Sequence, residues 1–580
     1  MSTTASPVRS LLPLAALVAA CSQNSGAAPS SSSGSSSSQG GTSAATDAAT
    51  DAGDPDFPFA LASGPAPTPP MGWNSWNAFG CSVSESTVES VAQTIVSSGM
   101  ADAGYQYVNI DDCWSFYPQD SAEQPCTPAA CRTDAGALQP NPTYFPDGIA
   151  SVANQVHGLG LKLGIYGDRG TDTCAGRAGS QGFETEDSQT FASWGVDYLK
   201  YDNCSADAGV IQQQYQTMSM ALQATMRPFV FSLCAWNFYE WELGTGQLWR
   251  TTTDIQDSWT SILSNITVNE VLAAYGGPNG WNDPDMLEVG NGGTSDIEDQ
   301  SHFSLWAISD APLIAGNDPR LMTSTTQSIL TNSEVIAINQ DALGLQGVTV
   351  SGDESVWAKP LNQSGARAVV LLNTSDTDTA NITFQLPEIG LAGGSATARD
   401  LVNHVDIAAF QDSYTYDNIP PHGSATLEVF GTEPARPSGT VALSDLQWTY
   451  ASNGLLNHLV QLDANWEGLP LTMQGTTYPK GLGLYAPSLV IYRLAPGCTS
   501  FTAQVGLDDS AGSGGSVVFQ VWADGQKLFD SGSVANPGST VQSVNVSLNH
   551  NKRLNLLVTN DNDGNTLDRA DWANPQLVCN

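Results

Sequence analysis

Between Pro69 and Gly316, eight short apolar runs alternate with amphipathic helical stretches such as 84–103 and 148–160. The runs fall at residues 71–76, 105–111, 162–168, 196–202, 229–236, 248–254, 281–286 and 312–315. Strands that alternate with helices are expected to lie parallel, because each helix carries the chain back across the sheet. Eight such units in about 250 residues match a closed (β/α)8 TIM barrel, expected here over residues 67–346. Past residue 345 the helical periodicity stops. Runs at 348–358, 368–373, 380–386 and 425–430 read as strands between polar turns, an antiparallel β-sandwich over 347–431. Residues 432–438 form a Pro-rich linker. Residues 439–580 are again all strand, with runs at 484–494, 501–505, 516–523, 540–547 and 553–559, and read as a β jelly-roll module.

The first 21 residues carry the marks of an export signal. Arg9 supplies a weak positive start, and Leu11 to Ala20 is an apolar run too short for a permanent membrane span. Val18-Ala19-Ala20-Cys21 resembles a bacterial lipobox, in which Cys21 is lipidated and becomes the first residue. The other reading is a conventional small-residue cleavage site with release into the medium. Residues 22–66, Ser/Gly-rich and then Ala/Thr/Asp-rich, hold nothing that can bury a core and are expected to be a disordered tether. Membrane contact is expected only through the lipid on Cys21.

Acidic side chains outnumber basic ones 58 to 19, a net charge of −39. Such a surface argues against nucleic acid or anionic lipid as a partner. Zinc-type cysteine pairs and phosphate-cradling glycine loops do not stand out, so no cofactor or metal is expected. The cysteines suit an oxidising compartment. Setting Cys21 aside leaves an odd number, so at least one is free or paired elsewhere. Cys126 and Cys131 are close enough for a local loop staple, and Cys498 and Cys579 share a separate C-terminal segment where they are expected to pair.

Polar and aromatic residues collect at the C-terminal ends of the barrel strands: Trp76, Asp111, Asp112, Tyr166, Asp168, Asp202, Trp236, Asp254 and Asp285. In a closed barrel these ends share one mouth, where active sites are built. Any single Asp there could equally cap the helix that follows. In Tyr198-Leu199-Lys200-Tyr201-Asp202-Asn203-Cys204, alternation puts Lys200 and Asp202 on one face. The ammonium is expected to keep Asp202 ionised, which suits a nucleophile. Asp254, at the end of the sixth strand, reads as the more enclosed carboxyl and as the general acid that holds its proton for the leaving oxygen. Arg250, on the same strand, reads as a substrate clamp or charge partner. Two strand-end carboxylates are what glycoside hydrolysis needs, and a separation of about 5–5.5 Å would mean a retaining double displacement.

Pro70-Met71-Gly72-Trp73-Asn74-Ser75-Trp76, Asn109-Ile110-Asp111-Asp112-Cys113-Trp114, Lys200-Tyr201-Asp202 and Trp281-Asn282-Asp283-Pro284-Asp285-Met286 together resemble glycoside hydrolase family 27, the α-galactosidase family, from Pro69 to Phe430. The resemblance implies Asp202 as nucleophile and Asp254 as acid/base. It implies Asp111 and Asp112 as acceptors for the outer hydroxyls of galactose and Trp76 as a packing surface for the sugar. Tyr166, Cys174, Lys200, Arg250 and Asp285 are implied as pocket residues. It also implies disulfides Cys81–Cys113 and Cys174–Cys204, leaving Cys234 as the odd thiol. The implied partner is a galactose-containing oligo- or polysaccharide; the sequence carries no signal for oligomeric state.

One departure bears on the substrate. Where many α-galactosidases of this family carry a glutamate that contacts the sugar's 2-position, this chain has Ala235. Either Arg250 or Asn237 compensates, or the 2-substituent differs. The alternatives are therefore an α-N-acetylgalactosaminidase, a β-L-arabinopyranosidase, or, from another class, a non-catalytic glycan-binding surface protein. The stretch from Val441 to Val578 resembles the NPCBM carbohydrate-binding domain. Within it, Asp561-Asn562-Asp563-Gly564-Asn565 is rich in oxygen ligands but lacks EF-hand spacing and reads as a turn.

Overall fold

The computed structural model describes residues 64–117 and 131–580, apart from 537 and 539. The export signal, Cys21, the tether up to residue 63 and Cys126 lie outside the described residues. Eight parallel strands run as β1 (Met71–Asn74), β2 (Tyr107–Ile110), β3 (Lys162–Asp168), β4 (Tyr198–Asp202), β5 (Val230–Leu233), β6 (Leu248–Arg250), β7 (Trp281–Asp283) and β8 (Leu313–Ala315). Each lies inside one of the expected runs. Their sheet order is β7-β6-β5-β4-β3-β2-β1-β8. The ring is completed by Leu287, just past β7, which bridges Ala315 of β8. Its amide donates to Ile314 O, and its carbonyl accepts from Gly316 N, both at 2.8 Å.

The local chemistry of the sequence accounts for these elements. Helix Glu85–Ser97 starts where the Ser84 side chain accepts from Thr87 N, and it buries Val88, Val91, Ala92 and Ile95 at helical spacing. Gly164 of β3 sits beside Asn109 of β2; a Cβ there would lie 1.9 Å from Asn109 Oδ1, so only glycine leaves that side chain room. The N-terminal mouth is plugged by Ala66, Tyr107, Tyr198, Val230, Leu248 and Trp281. The Ala66 carbonyl fixes the entering chain by accepting from Asn279 N and Trp281 Nε1. With that end closed, the strand C-terminal ends are the open ones.

Helix Asp296–Ile308 is buried on nearly all sides, because it lies between the barrel and the sandwich. Ser301 donates to His422 O, and Thr426 donates to Ser304 Oγ, across that boundary. The sandwich is a six-stranded antiparallel sheet with a two-stranded partner. The run read as one strand at 348–358 is two, Val348–Thr349 and Val356–Pro360. Strands Ser395–Asp400, Val405–Gln411 and Ser413–Ile419 were not expected; Val405–Gln411 is mostly exposed, with Ile407 and Phe410 half-buried against the sandwich core, and Ser413–Ile419 packs Tyr414 and Tyr416 on the same core. The linker is pinned in place: Glu433 pairs with Arg367 of the sandwich at 3.0 Å and lies 3.8 Å from Arg493 of the C-terminal module.

The C-terminal module packs two antiparallel sheets around one apolar core centred on Phe501, Phe519, Leu556 and Trp572. Residues 484–494 are not one strand; the chain breaks at Ala486 and Pro487 between Gly481–Tyr485 and Ser488–Arg493, since proline cannot donate to a ladder. Gln526–Ala535 and Arg569–Cys579 are further strands, the latter irregular in register where it pairs with Cys498–Leu507. The module seats directly on the barrel. Tyr450 donates to Gln346 O at 2.8 Å, and the Tyr275 hydroxyl lies 2.6 Å from Glu240 Oε1 and 3.0 Å from Asn560 Oδ1.

Candidate active site

A cavity of about 870 Å³ opens at the C-terminal ends of the barrel strands. Trp76, Asp111, Asp112, Tyr166, Cys174, Lys200, Asp202, Asp254 and Asp285 all line it. Asp202 ends β4 and Asp254 follows β6, so the two carboxylates reach one cavity from alternate strands.

Asp202 is buried and doubly held. Its Oδ2 accepts from the Tyr166 hydroxyl at 2.9 Å, and its Oδ1 accepts from Asn203 N at 2.9 Å. Burial raises its carboxyl above the ordinary range, and the Lys200 charge, the Tyr166 hydroxyl and the Asn203 amide pull it back only in part. The expected Lys200–Asp202 pairing is therefore indirect. Lys200 Nζ donates at 2.8 Å to Asp111 Oδ2, which also accepts from Asn74 Nδ2 at 2.8 Å. Lys200 still contributes charge beside Asp202 but bonds to its neighbour.

Asp112 is set by two loops. Its Oδ1 accepts from Cys113 N and the Thr173 hydroxyl, and its Oδ2 accepts from Ala175 N. Burial, helped by the Asp111 charge, pushes it up to about 6 against those bonds. Two disulfides fix these loops. Cys81–Cys113 ties the segment after β2 to the one after β1, and Cys174–Cys204 ties the β3 loop to the end of β4. Cys498–Cys579 closes the C-terminal module. Cys131 is disulfide-bonded, while its expected partner Cys126 lies outside the described residues. Cys234 is a buried free thiol.

Two expectations are corrected. Asp254 is the open carboxyl of the pair, with its side chain 73% exposed. It lies beyond the end of β6, past a bend at Thr252 and Thr253, and among the described residues its tie is to Arg250 Nη2 at 3.2 Å. Arg250 is itself buried and does not line the cavity. It sits behind the wall, bonding Asp254, Asp285 Oδ2 at 3.0 Å and the Cys234 sulfur at 3.5 Å. Of the two roles expected of it, charge partner is the one these contacts match: it orients two carboxylates that face the cavity. Asp168 likewise stays out of the cavity. Its oxygens accept from Gly170 N and Cys204 N, and burial with the nearby Asp202 charge pushes it up to about 8.

Several lining residues carried no signal in the sequence reading. Asn77, Phe79, Gln256, Asp257, Met286, Glu288, Asn291 and Leu321 all border the cavity. Burial pushes the Glu288 carboxyl up to about 7, against the amides of Asn291 and Asn77. Glu288 and Asn291 follow closely on the Asp283-Pro284-Asp285 motif, and that adjacency was the available clue.

Comparison with known proteins fits this geometry. Residues 68–341 match the family described as Alpha galactosidase A, residues 351–429 the alpha galactosidase C-terminal beta sandwich domain, and residues 439–578 the NPCBM/NEW2 domain. The chain is 48% identical over 382 residues to a probable alpha-galactosidase of Dictyostelium discoideum, covering 64% of this chain and 95% of that protein. It is 49% identical over 357 residues to an alpha-galactosidase of Oryza sativa subsp. japonica, covering 60% and 82%. Among solved structures it resembles alpha-galactosidase I from Mortierella vinacea, with a TM-score of 0.59 and 33% identity over 64% of this chain and 99% of that one.

Proposed function

The chain belongs to the α-galactosidase family of glycoside hydrolases, and we propose that it is an exported retaining α-galactosidase acting on terminal α-galactosyl residues of oligo- or polysaccharides. The observation that carries this reading is the pair Asp202 and Asp254, delivered by alternate strands to a single cavity. In the first step a carboxylate oxygen of Asp202 bonds to the anomeric carbon while Asp254 gives its proton to the departing glycosidic oxygen. In the second, Asp254 takes a proton from water, the water oxygen bonds to the same carbon, and the Asp202–sugar bond breaks. Two inversions return the original configuration.

The rest of the wall supports these roles. Tyr166 holds Asp202 in line and stabilises its charge. Lys200 fixes Asp111, and both Asp111 and Asp112 present carboxyl oxygens to the cavity for the outer hydroxyls of the sugar. Asp254 is open in the free enzyme; a bound leaving group covers it, and Arg250 keeps it aimed. Export draws support from the N-terminal signal features, with Cys21 as a lipid anchor or a cleavage point, and from the three disulfides closed between described residues. The C-terminal module is read as carbohydrate-binding on its family match.

One observation favours a second substrate. Ala235 is buried and offers only a methyl group, Asn237 is exposed and does not line the cavity, and Arg250 is committed to carboxylates. A 2-acetamido sugar therefore stands as the second reading. The deciding assay compares nitrophenyl α-galactoside, its N-acetyl analogue and nitrophenyl β-L-arabinopyranoside. The galactoside is expected to give the highest kcat/KM. Asp202→Asn is expected to abolish turnover while sugar binding survives, and proton NMR of the first-formed sugar is expected to show retention. Full activity in Asp202→Asn would exclude the assigned nucleophile.

A further inference from the structure

The turn between sandwich strands Ser413–Ile419 and Ser424–Phe430 carries a side chain, His422, that reaches two helices of the barrel. Its ring stacks on Trp259, with centroids 4.9 Å apart and an interplanar angle of 20°. Its Nδ1 lies 2.7 Å from Glu298 Oε1, and its Nε2 lies 3.1 Å from Asp376 Oδ1. A neutral imidazole has one N–H and can donate to one of these carboxylates; only the imidazolium donates to both. The backbone is fixed as well. The His422 carbonyl accepts from the Ser301 hydroxyl at 2.7 Å, and Gly423 N donates to Pro420 O at 2.9 Å. These bonds hold His422 at φ 57°, in the left-handed region that a residue with a side chain enters only at a cost.

Trp259 and Glu298 each stand at the start of a helix, and each helix follows a loop that lines the cavity. Trp259 opens helix Trp259–Glu270, just after the loop that carries Asp254. Glu298 lies in the first turn of helix Asp296–Ile308, after the loop that carries Asp285. Each loop is bonded to the helix start that follows it. Gln256 N donates to Ser261 Oγ at 2.9 Å, and Glu298 Oε2 closes a capping box by accepting from Ser295 N at 2.7 Å. The two loops also bond to each other. Asp257 Oδ2 accepts from Gly293 N at 2.6 Å, and Asp285 Oδ2 accepts from Ile255 N at 2.8 Å. One imidazole therefore ties together two helix starts whose loops carry site carboxylates, and it does so without lining the cavity.

We propose that His422 is a positioning residue for the acid/base step, acting through Trp259 and Glu298 to hold the Asp254 loop in register with the β7 loop bonded to it. This rests on the glycosidase reading above. Asp254 needs such support, because it is open to solvent and lies past the bend at Thr252 and Thr253. Asp202 is set instead by Tyr166 of β3 and by Asn203 beyond β4. The effect of His422 therefore falls on proton delivery to the leaving oxygen and not on the nucleophile.

The test separates the two by the leaving group. A sugar alkoxide leaves only with a proton from the acid, whereas 2,4-dinitrophenolate leaves with little help. The measurement compares kcat/KM for α-galactosyl-(1→6)-glucose with kcat/KM for 2,4-dinitrophenyl α-galactoside. In His422→Ala the disaccharide-to-dinitrophenyl ratio is expected to fall about tenfold, part of what an aligned general acid contributes. A mere loss of folded enzyme lowers both rates equally and leaves the ratio alone. Trp259→Leu removes the ring that His422 stacks on and is expected to lower the same ratio; it decides the matter if His422→Ala fails to fold. An unchanged ratio, or an equal fall on both substrates, overturns the positioning role. A folded wild-type enzyme inactive on both galactosides would instead overturn the galactosidase reading itself.

Discussion

The Tyr166 hydroxyl donates to Oδ2 of Asp202 at 2.9 Å, from the neighbouring strand of the barrel. Both side chains are buried, so the bond is shielded from water and fixes which carboxyl oxygen stays free. Hydrogen bonds to charged groups contribute about 1.5–3 kcal/mol. Tyr166→Phe is therefore expected to lower kcat by about ten- to hundredfold with the fold intact. The bond favours the ionised form of Asp202, so its loss raises that carboxyl further. The acid limb of the kcat/KM profile should move to higher pH. Steady-state kinetics across the acid range check both effects, and an acid limb displaced downward would contradict the assignment.

Arg250 lies between Asp254 and Asp285 with its side chain 3% exposed. Removing one partner of a buried ion pair leaves the other uncompensated, here Asp285, at about 3–5 kcal/mol, while the exposed Asp254 is solvated. Arg250→Ala is expected to lower the melting temperature clearly and to reduce kcat to near background. Arg250→Lys keeps the charge but loses the guanidinium geometry that sets Nη2 between the two carboxylates while Nη1 reaches the Cys234 sulfur. It should recover most of the thermal stability and only part of the rate. Equal kcat in wild type and Arg250→Lys would mean that Asp254 needs no orienting partner.

The barrel was legible because its signal is periodic and repeated. Each strand, from Met71–Asn74 to Leu313–Ala315, sits inside an apolar run. The site carboxylates were legible because they sit at strand ends or beside them. What failed was enclosure. Asp202 and Asp254 have the same kind of sequence neighbourhood, yet one is buried and the other 73% exposed, because the chain leaves the barrel straight after Arg250 but not before Asp202. Arg250 was misplaced for a related reason: spacing along a strand gives the face, not whether a neighbour stands in front. Glu288, Asn77 and Asn291 belong to loops with no periodicity, and they meet only in space. Val405–Gln411 escaped notice because its core-packed residues, Ile407 and Phe410, stand three apart across a register shift and break the apolar alternation.

Two buried carboxyls outside the cavity lining contribute to the pH response of the fold. Glu270 accepts from Thr349 N and the Thr349 hydroxyl through Oε1, while Oε2 is buried without a hydrogen-bond partner. Asp568 accepts from Ser516 N through Oδ1, with Oδ2 likewise unpaired. Burial pushes Glu270 up to about 7; burial, with the charges of Asp563, Asp561 and Glu240, pushes Asp568 up to about 8. In the unfolded chain both titrate near 4 to 4.5. Between those limits the folded protein holds protons that the unfolded chain has released, so stability falls as pH rises and levels off above about 8. At the acid end, Glu433, held below its usual range by Arg367 despite burial, loses its contribution as it protonates. The melting temperature is therefore expected to peak on the acidic side, at about pH 5, and to decline toward pH 8. Glu270→Gln keeps the acceptor to Thr349 and removes the titration. It should melt higher than wild type at pH 8 and match it at pH 5. Differential scanning calorimetry at the two pH values reads this directly, and a wild-type melting temperature that climbs from pH 5 to pH 8 would show these carboxyls to be ionised in the folded state.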